Sequence, residues 1–363
     1  MTTRTPALPG VFTGLPAGLG HSAQRAIAAL ARPHAATGLQ PCPPAFVMPY
    51  PVRMNPHLEA ARERAAEWAE RTGLTGPDGV WGREHFDLLE LALFTALTQP
   101  DLSREELLLV GDWNVWAFAV DDHFLRYKAA ADEPGAQRFV TRLAACMPLG
   151  SAAAPAPQHP VEAALADVWT RSAPALPAGL RRRLRDAALD FAAANLWELA
   201  NNLRGRIPDP VEYLQMRRRT AGTPLSTVLP LHASGQDLPP QLLGHPIVSA
   251  LIDAFADNVD LRNDLYSHRK ETELEGELNN AVPVFQRFLH CPLQTAVDTV
   301  GDLMNARLDC FDRLIREELP KLADEFGPEG YRVVAAFADG LKDWLAGDHA
   351  WYPRTGRYTA GLG

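Results

Sequence analysis

The run Asn263-Asp264-Leu265-Tyr266-Ser267-His268-Arg269-Lys270-Glu271 places three oxygen donors at i, i+4 and i+8. On a helix each step of four residues advances a side chain by roughly 40°. The Asn263 amide, the Ser267 hydroxyl and the Glu271 carboxylate therefore share one face. Oxygen-only ligands suit a hard cation such as Mg²⁺, which keeps part of its water shell and bridges readily to phosphate. Lys270 stands beside Glu271, placed to reach the same phosphate. A solvated polar helix face has the same composition, so the run alone leaves both readings open. A second acidic element is Asp121-Asp122-His123-Phe124-Leu125-Arg126, which follows the apolar stretch 113–120. A helix apolar all round belongs inside a bundle, yet burying unpaired charge is costly. A helix that lines a cavity, with its acidic end at the mouth, reconciles the two.

These residues need helices to hold them, and the chain supplies little else. Apolar residues recur at spacings of three and four over 56–71, 84–97, 104–125, 135–145, 160–172, 178–206, 210–219, 246–267 with a continuation, 293–326 and 330–347. Asn55-Pro56 reads as a helix start, because Asn caps and Pro is tolerated in the first turn. Pro-, Ala- and Gly-rich stretches at 147–159 and 235–240 read as loops. Strand-like alternation is nearly absent and no internal repeat is visible, so the expected fold class is all-α. The segment 1–45 is rich in Pro, Gly and Ala and reads as a mostly disordered extension with one short helical pattern over 23–31. Residues 46–363 read as one domain. In this pattern Asp121 and Asp122 fall in the last turn of their helix, where the macrodipole disfavours acids.

The chain has 363 residues and a formal net charge of −9. That acidity argues against non-specific nucleic-acid binding, though it leaves room for a local basic pocket. The cysteines Cys42, Cys146, Cys291 and Cys310 form no CxxC pair, so no zinc or redox site is expected. They fit a reducing, cytoplasmic setting. No stretch has the length of a membrane span, and no apolar segment follows Arg4 as a signal peptide would need.

Taken together, the two motifs resemble those of the bacterial class I terpene synthases. Asn263-Asp264-x-x-Ser267-x-x-Lys270-Glu271 matches the long form of that family's metal-binding triad. Asp121-Asp122-His123-Phe124-Leu125 is similar to the aspartate-rich motif of germacradienol/geosmin synthases, and the likeness extends from about residue 46 to the end. The resemblance implies a single helical bundle around a central active-site cavity. It implies Mg²⁺ as cofactor, three ions in all, held by Asp121, Asn263, Ser267 and Glu271 around an isoprenoid diphosphate. It assigns Arg217 as the diphosphate sensor, with Lys270, Arg357 and Tyr358 as further diphosphate donors. Ala221 stands at the position where the family often has its effector glycine, and Gly222 follows it. Phe94 and Trp351 become cavity residues by the resemblance. Phe118, one turn before Asp121, does so by helix geometry. Asp122 supports Asp121. Trp113, Trp116, Trp197 and Phe255 are assigned to ordinary packing, and Arg218 and Arg219 to surface or loop pairing.

The expected reaction is ionisation and cyclisation of farnesyl diphosphate to a sesquiterpene. Geranyl and geranylgeranyl diphosphate, a prenyl-chain-elongating transferase and a non-catalytic isoprenoid-binding protein remain as alternatives. The expected partner is the small-molecule substrate, with a homodimer allowed and neither nucleic acid nor a membrane span involved. One departure stands out: Arg126 occupies a position where the subfamily usually carries an acid. The second cyclase-like domain of geosmin synthases is not expected within these residues.

Overall fold

A computed structural model describes residues 42, 44–150, 154–233 and 238–359. The helical pattern expected over 23–31 and most of the extension lie outside the described residues. Fourteen α-helices are described: α1 Leu58–Arg71, α2 Arg83–Leu89, α3 Leu91–Thr98, α4 Arg104–Ala130, α5 Glu133–Cys146, α6 Pro160–Ser172, α7 Ala178–Leu203, α8 Pro210–Thr220, α9 Thr223–Ala233, α10 Pro240–Leu243, α11 Pro246–Arg269, α12 Ala281–Leu289, α13 Leu293–Arg313 and α14 Leu322–Trp351. Extended pairing among the described residues amounts to one isolated bridge between Thr75 and Trp81.

Side-chain caps set six of the described helix starts. Ser103 and Glu106 form a reciprocal capping box at the head of α4. Asp209 accepts from the backbone N–H groups of Val211 and Glu212 ahead of Pro210, which begins α8. Asn280 caps α12. Asn55 turns the chain into the first helix as its sequence suggests: its Oδ1 accepts from the His57 backbone N–H at 3.0 Å, and regular helix follows from Leu58. Its buried amide nitrogen also donates to the carbonyls of Gln99 and Leu102, tying the chain to the end of α3.

Three expectations need correction. The pattern over 84–97 is two helices, broken at Glu90, whose φ of 51° ends the first; Arg62 holds its carboxylate. The helix over 293–326 changes to a wide π-type turn at Leu314–Glu318, and the following helix is kinked at Gly327. Most consequential, α4 runs on to Ala130, so Asp121 and Asp122 lie more than two turns before its end. The dipole argument made for a helix C-terminus does not apply to them. The Ala- and Pro-containing helices α9 and α12 were not anticipated at all.

Helix α4 is the centre of the bundle. It packs against α1, α3, α5, α6, α7 and α9, and its Trp113, Val115, Trp116, Ala119 and Val120 are buried. Helix α11 lies on α13 and α14, and α14 crosses α3. That crossing is close: a Cβ on Gly347 would stand 2.3 Å from the Leu97 carbonyl oxygen. A cavity opens between α4, α7, α8, α9, α11 and α14.

Candidate active site

The cavity encloses about 1400 Å³ of atom-free space, its open mouth included. Its wall carries eight carboxylates (Asp121, Asp122, Glu198, Asp260, Glu271, Glu275, Glu277 and Asp348) against four cationic side chains (Lys128, Arg217, Lys270 and Arg357). Phe94, Phe118, Phe191, Trp344 and Trp351 supply aromatic faces to the same space. Of the residues given a site role from the sequence, all border it except Ser267.

Arg357 is buried and grips the aspartate pair. It donates to both oxygens of Asp122, at 2.8 and 2.9 Å, and to Asp121 at 3.0 Å. The Trp81 indole N–H also reaches Asp122, at 2.7 Å. Burial alone would raise the Asp122 carboxyl, but the Arg357 charge and hydrogen bonds outweigh it and hold it at about 2. Asp121 keeps nearly half of its side chain exposed at the mouth. The guanidinium of Arg357 lies 5.0 Å from the centre of the Phe118 ring. Phe118, Phe94 and Trp351 meet edge to face with centroids 5.1–5.8 Å apart.

On the opposing side, Asn263 donates to the hydroxyls of Tyr352 and Tyr358 at 3.0 and 2.9 Å. Its carbonyl accepts from Arg217 at 2.7 Å. Arg217 also donates to Asp264, a buried residue whose other oxygen accepts from the Tyr213 hydroxyl and the Ala281 backbone. Asp264, although inside the motif, therefore orients Arg217 and does not border the cavity. Ser267 is buried and its Oγ has no hydrogen-bond partner. From Lys270 the helix widens into a π-type turn to Glu275. Glu271 falls in this turn and borders the cavity. Glu271 accepts from Asn280 at 2.9 Å, and burial followed by the Asp264 charge raises its carboxyl to about 7. Lys270 pairs with Glu275 at 2.6 Å.

Of the three consecutive arginines only Arg217 borders the cavity; Arg218 pairs with Asp257 and Asp253, and Arg219 with Asp190. Gly222 takes φ 74° between α8 and α9, and a Cβ there would stand 3.1 Å from the Phe191 ring. Ala221 beside it also borders the cavity. Arg126 turns away, its Nη1 lying 2.9 Å from the His159 ring nitrogen, so it does not bear on the site. Trp113, Trp116, Trp197 and Phe255 do not border the cavity either. Sequence reasoning missed Asn195, Glu198 and Asn202, which sit at i, i+3 and i+7 on α7. That polar stripe on a helix otherwise rich in Ala and Leu was the available signal. It also missed Asp260, Glu275, Glu277, Tyr352 and Trp344.

No three His, Cys, Asp or Glu side chains among the described residues gather into a metal centre by themselves. The donor set is mixed and partly open, with amide, hydroxyl and carboxylate oxygens. A family model, terpene synthase family 2, C-terminal metal binding, matches residues 112–309, more than half of the chain. The chain belongs to terpene synthase family 2. It is a metal-binding, diphosphate-releasing lyase of that family. This terpene synthase is 31% identical over 319 residues to pristinol synthase of Streptomyces pristinaespiralis, covering 86% of this chain and 84% of that one. It is 27% identical to a 7-epi-alpha-eudesmol synthase of Streptomyces viridochromogenes, with 87% and 92% covered. The crystal structure of an a-eudesmol synthase superposes with a TM-score of 0.74 at 26% identity, covering 85% of this chain and 99% of that one. These matches do not single out the germacradienol/geosmin type among the members. No helix among the described residues is long and apolar enough to cross a membrane.

Proposed function

We propose that this terpene synthase ionises and cyclises farnesyl diphosphate to a sesquiterpene, with Mg²⁺ as its metal. The observation that carries the reading is the meeting of an excess of carboxylates, the buried Arg357, the largely buried Arg217 and a set of aromatic faces around one cavity. The viridochromogenes relative is described as (2E,6E)-farnesyl diphosphate cyclizing, which supports the substrate length. The donor chemistry fits the metal. Four more carboxylates than cationic side chains line the wall, Ser267 has a buried oxygen with no partner, and the Glu271 carboxyl is raised by burial and by the charge of Asp264. Asp121 would hold Mg²⁺ from α4, and Asn263, Ser267 and Glu271 from α11 and its continuation. Three ions follow from the family resemblance. When bound, Mg²⁺ neutralises the diphosphate and makes it a leaving group.

Arg217, Arg357 and Lys270 are each engaged with a carboxylate or amide oxygen. Substrate binding exchanges those partners for diphosphate oxygens, to which an arginine can donate two parallel hydrogen bonds. Tyr358 adds a hydroxyl. The departing diphosphate leaves an allylic carbocation, and Phe94, Phe118 and Trp351 turn ring surface toward it while excluding water. Ala221 and Gly222, at the break between α8 and α9, shape the wall next to Arg217. A single chain supplies every residue named, so no partner copy is required. The four cysteines are free, which suits a cytoplasmic setting.

The test is substitution of the two triad ends. Asn263→Ala and Glu271→Ala are expected to abolish Mg²⁺-dependent release of diphosphate while the helical circular dichroism stays unchanged. Undiminished turnover in either variant removes the metal assignment.

A further inference from the structure

Six Asp or Glu residues are buried among the described residues, and five of them pair with an arginine. Asp112 pairs with Arg64 and Arg171, Glu162 with Arg142, Asp257 with Arg218, Asp264 with Arg217 and Asp348 with Arg262. The sixth, Asp260, has no such partner. It sits on α11 one turn before Asn263, is 2% exposed, and borders the cavity. Its Oδ2 has no hydrogen-bond partner, and its Oδ1 accepts only from the Thr223 hydroxyl, at 3.5 Å. Burying a carboxyl with one oxygen unsatisfied is costly. Such a group calls for a polar guest.

The occupant is constrained by its surroundings. The hydrocarbon of an isoprenoid offers no hydrogen bond. A diphosphate is repelled by a carboxyl oxygen and has Arg217 and Arg357 to hold it. Water is small enough and both donates and accepts, and buried waters typically bridge otherwise unsatisfied polar groups. Ser226, on the next turn of α9 from Thr223, brings a hydroxyl to the cavity wall.

Resting on the reading of the chain as a farnesyl diphosphate cyclase, we propose that Asp260 holds one water molecule at the cavity wall and that this water captures the final carbocation, so that the product is an alcohol. The water oxygen forms the new C–O bond with its lone pair. One of its O–H bonds breaks, leaving the electron pair on oxygen. Asp260 Oδ2 is the first hydrogen-bond acceptor for the departing proton, which ends on the released diphosphate. Asp260 is thus a positioning residue for the nucleophile, and it takes no part in ionisation.

The experiment is incubation with farnesyl diphosphate and Mg²⁺ in ¹⁸O-labelled water, with gas chromatography–mass spectrometry of the product and diphosphate release followed in parallel. The wild type is expected to give an alcohol carrying one ¹⁸O. Asp260→Asn keeps a hydrogen-bonding oxygen and retains the alcohol. Asp260→Leu loses it and shifts the product from alcohol to hydrocarbon, read as the alcohol fraction of the product formed. An unlabelled hydrocarbon from the wild type overturns the proposal, as does an unchanged alcohol fraction in Asp260→Leu. Loss of diphosphate release in both variants with circular dichroism intact also overturns it, by moving Asp260 into the ionisation machinery. Should Asp260→Leu not fold, a wild-type crystal structure decides: an ordered water on Oδ2 supports the proposal, and a dry carboxyl there overturns it. Absence of diphosphate release from the wild type is a different result, since it removes the cyclase reading itself.

Discussion

Arg357 and Asp122 define one another's state. Arg357 is buried, the Asp122 side chain is only 11% exposed, and the pair is joined by two hydrogen bonds. Removing one member of a buried pair leaves an uncompensated charge, which costs on the order of 3 kcal/mol or more. Arg357→Met is therefore expected to lower unfolding free energy by about that amount in denaturant titration, and to depress diphosphate release at least about 100-fold. Wild-type stability in the variant contradicts the pairing. A second residue-scale prediction concerns acid. His123 is buried beside His159 and Arg126, and burial first, then those two neighbours, lowers its imidazole to about 3. The folded protein then binds fewer protons than the unfolded chain between about 3 and the ordinary value of 6.5. Stability is fully present above 6.5 and falls as the pH drops below it. Between pH 7 and 5 this group accounts for a loss of about 2 kcal/mol. His123→Phe should flatten the slope, and an unchanged pH profile in that variant contradicts the assignment.

At the scale of elements, the triad on α11 was legible because helix periodicity and donor type act locally. Asn263, Ser267 and Glu271 lie within nine residues, and nothing distant is needed to put them near one face. The same reasoning put Phe118 one turn below Asp121, and both border the cavity. It failed where tertiary packing overrides local preference. Nothing local told that α4 continues past Leu125 to Ala130, or that Glu90 takes a left-handed conformation. The π-type turn at Lys270–Glu275 is likewise invisible in composition. Asn195, Glu198 and Asn202 were readable as a stripe, but their meaning depends on which helix faces α7. Asp260 was unreadable, since a lone acid shows neither its burial nor its missing partner. Gly347 gives the element-scale test. A methyl group there meets the backbone of α3 at Leu97, so Gly347→Ala should force α14 off α3. The expected loss is about 1–3 kcal/mol in denaturant unfolding, with disturbed packing of Phe94 against Trp344 and Trp351, now 5.4 and 5.1 Å away. A variant as stable as wild type contradicts that crossing geometry.

For the whole molecule, the bundle separates two tasks. Helices α4 and α11 bring acids and amides from residues far apart in sequence to one mouth, while α3, α7 and α14 line the remainder with rings. Overall acidity, read from the sequence as unfavourable to non-specific nucleic-acid binding, is reconciled with a diphosphate by the two arginines at the site, Arg217 and Arg357. The most direct measurement is product analysis of the wild-type protein given geranyl, farnesyl or geranylgeranyl diphosphate, each with Mg²⁺ and with or without isopentenyl diphosphate. A cyclic fifteen-carbon product from farnesyl diphosphate, formed with stoichiometric diphosphate release, abolished by chelation and indifferent to isopentenyl diphosphate, is the expected result. Consumption of isopentenyl diphosphate, or no diphosphate released from any of the three substrates, would contradict it.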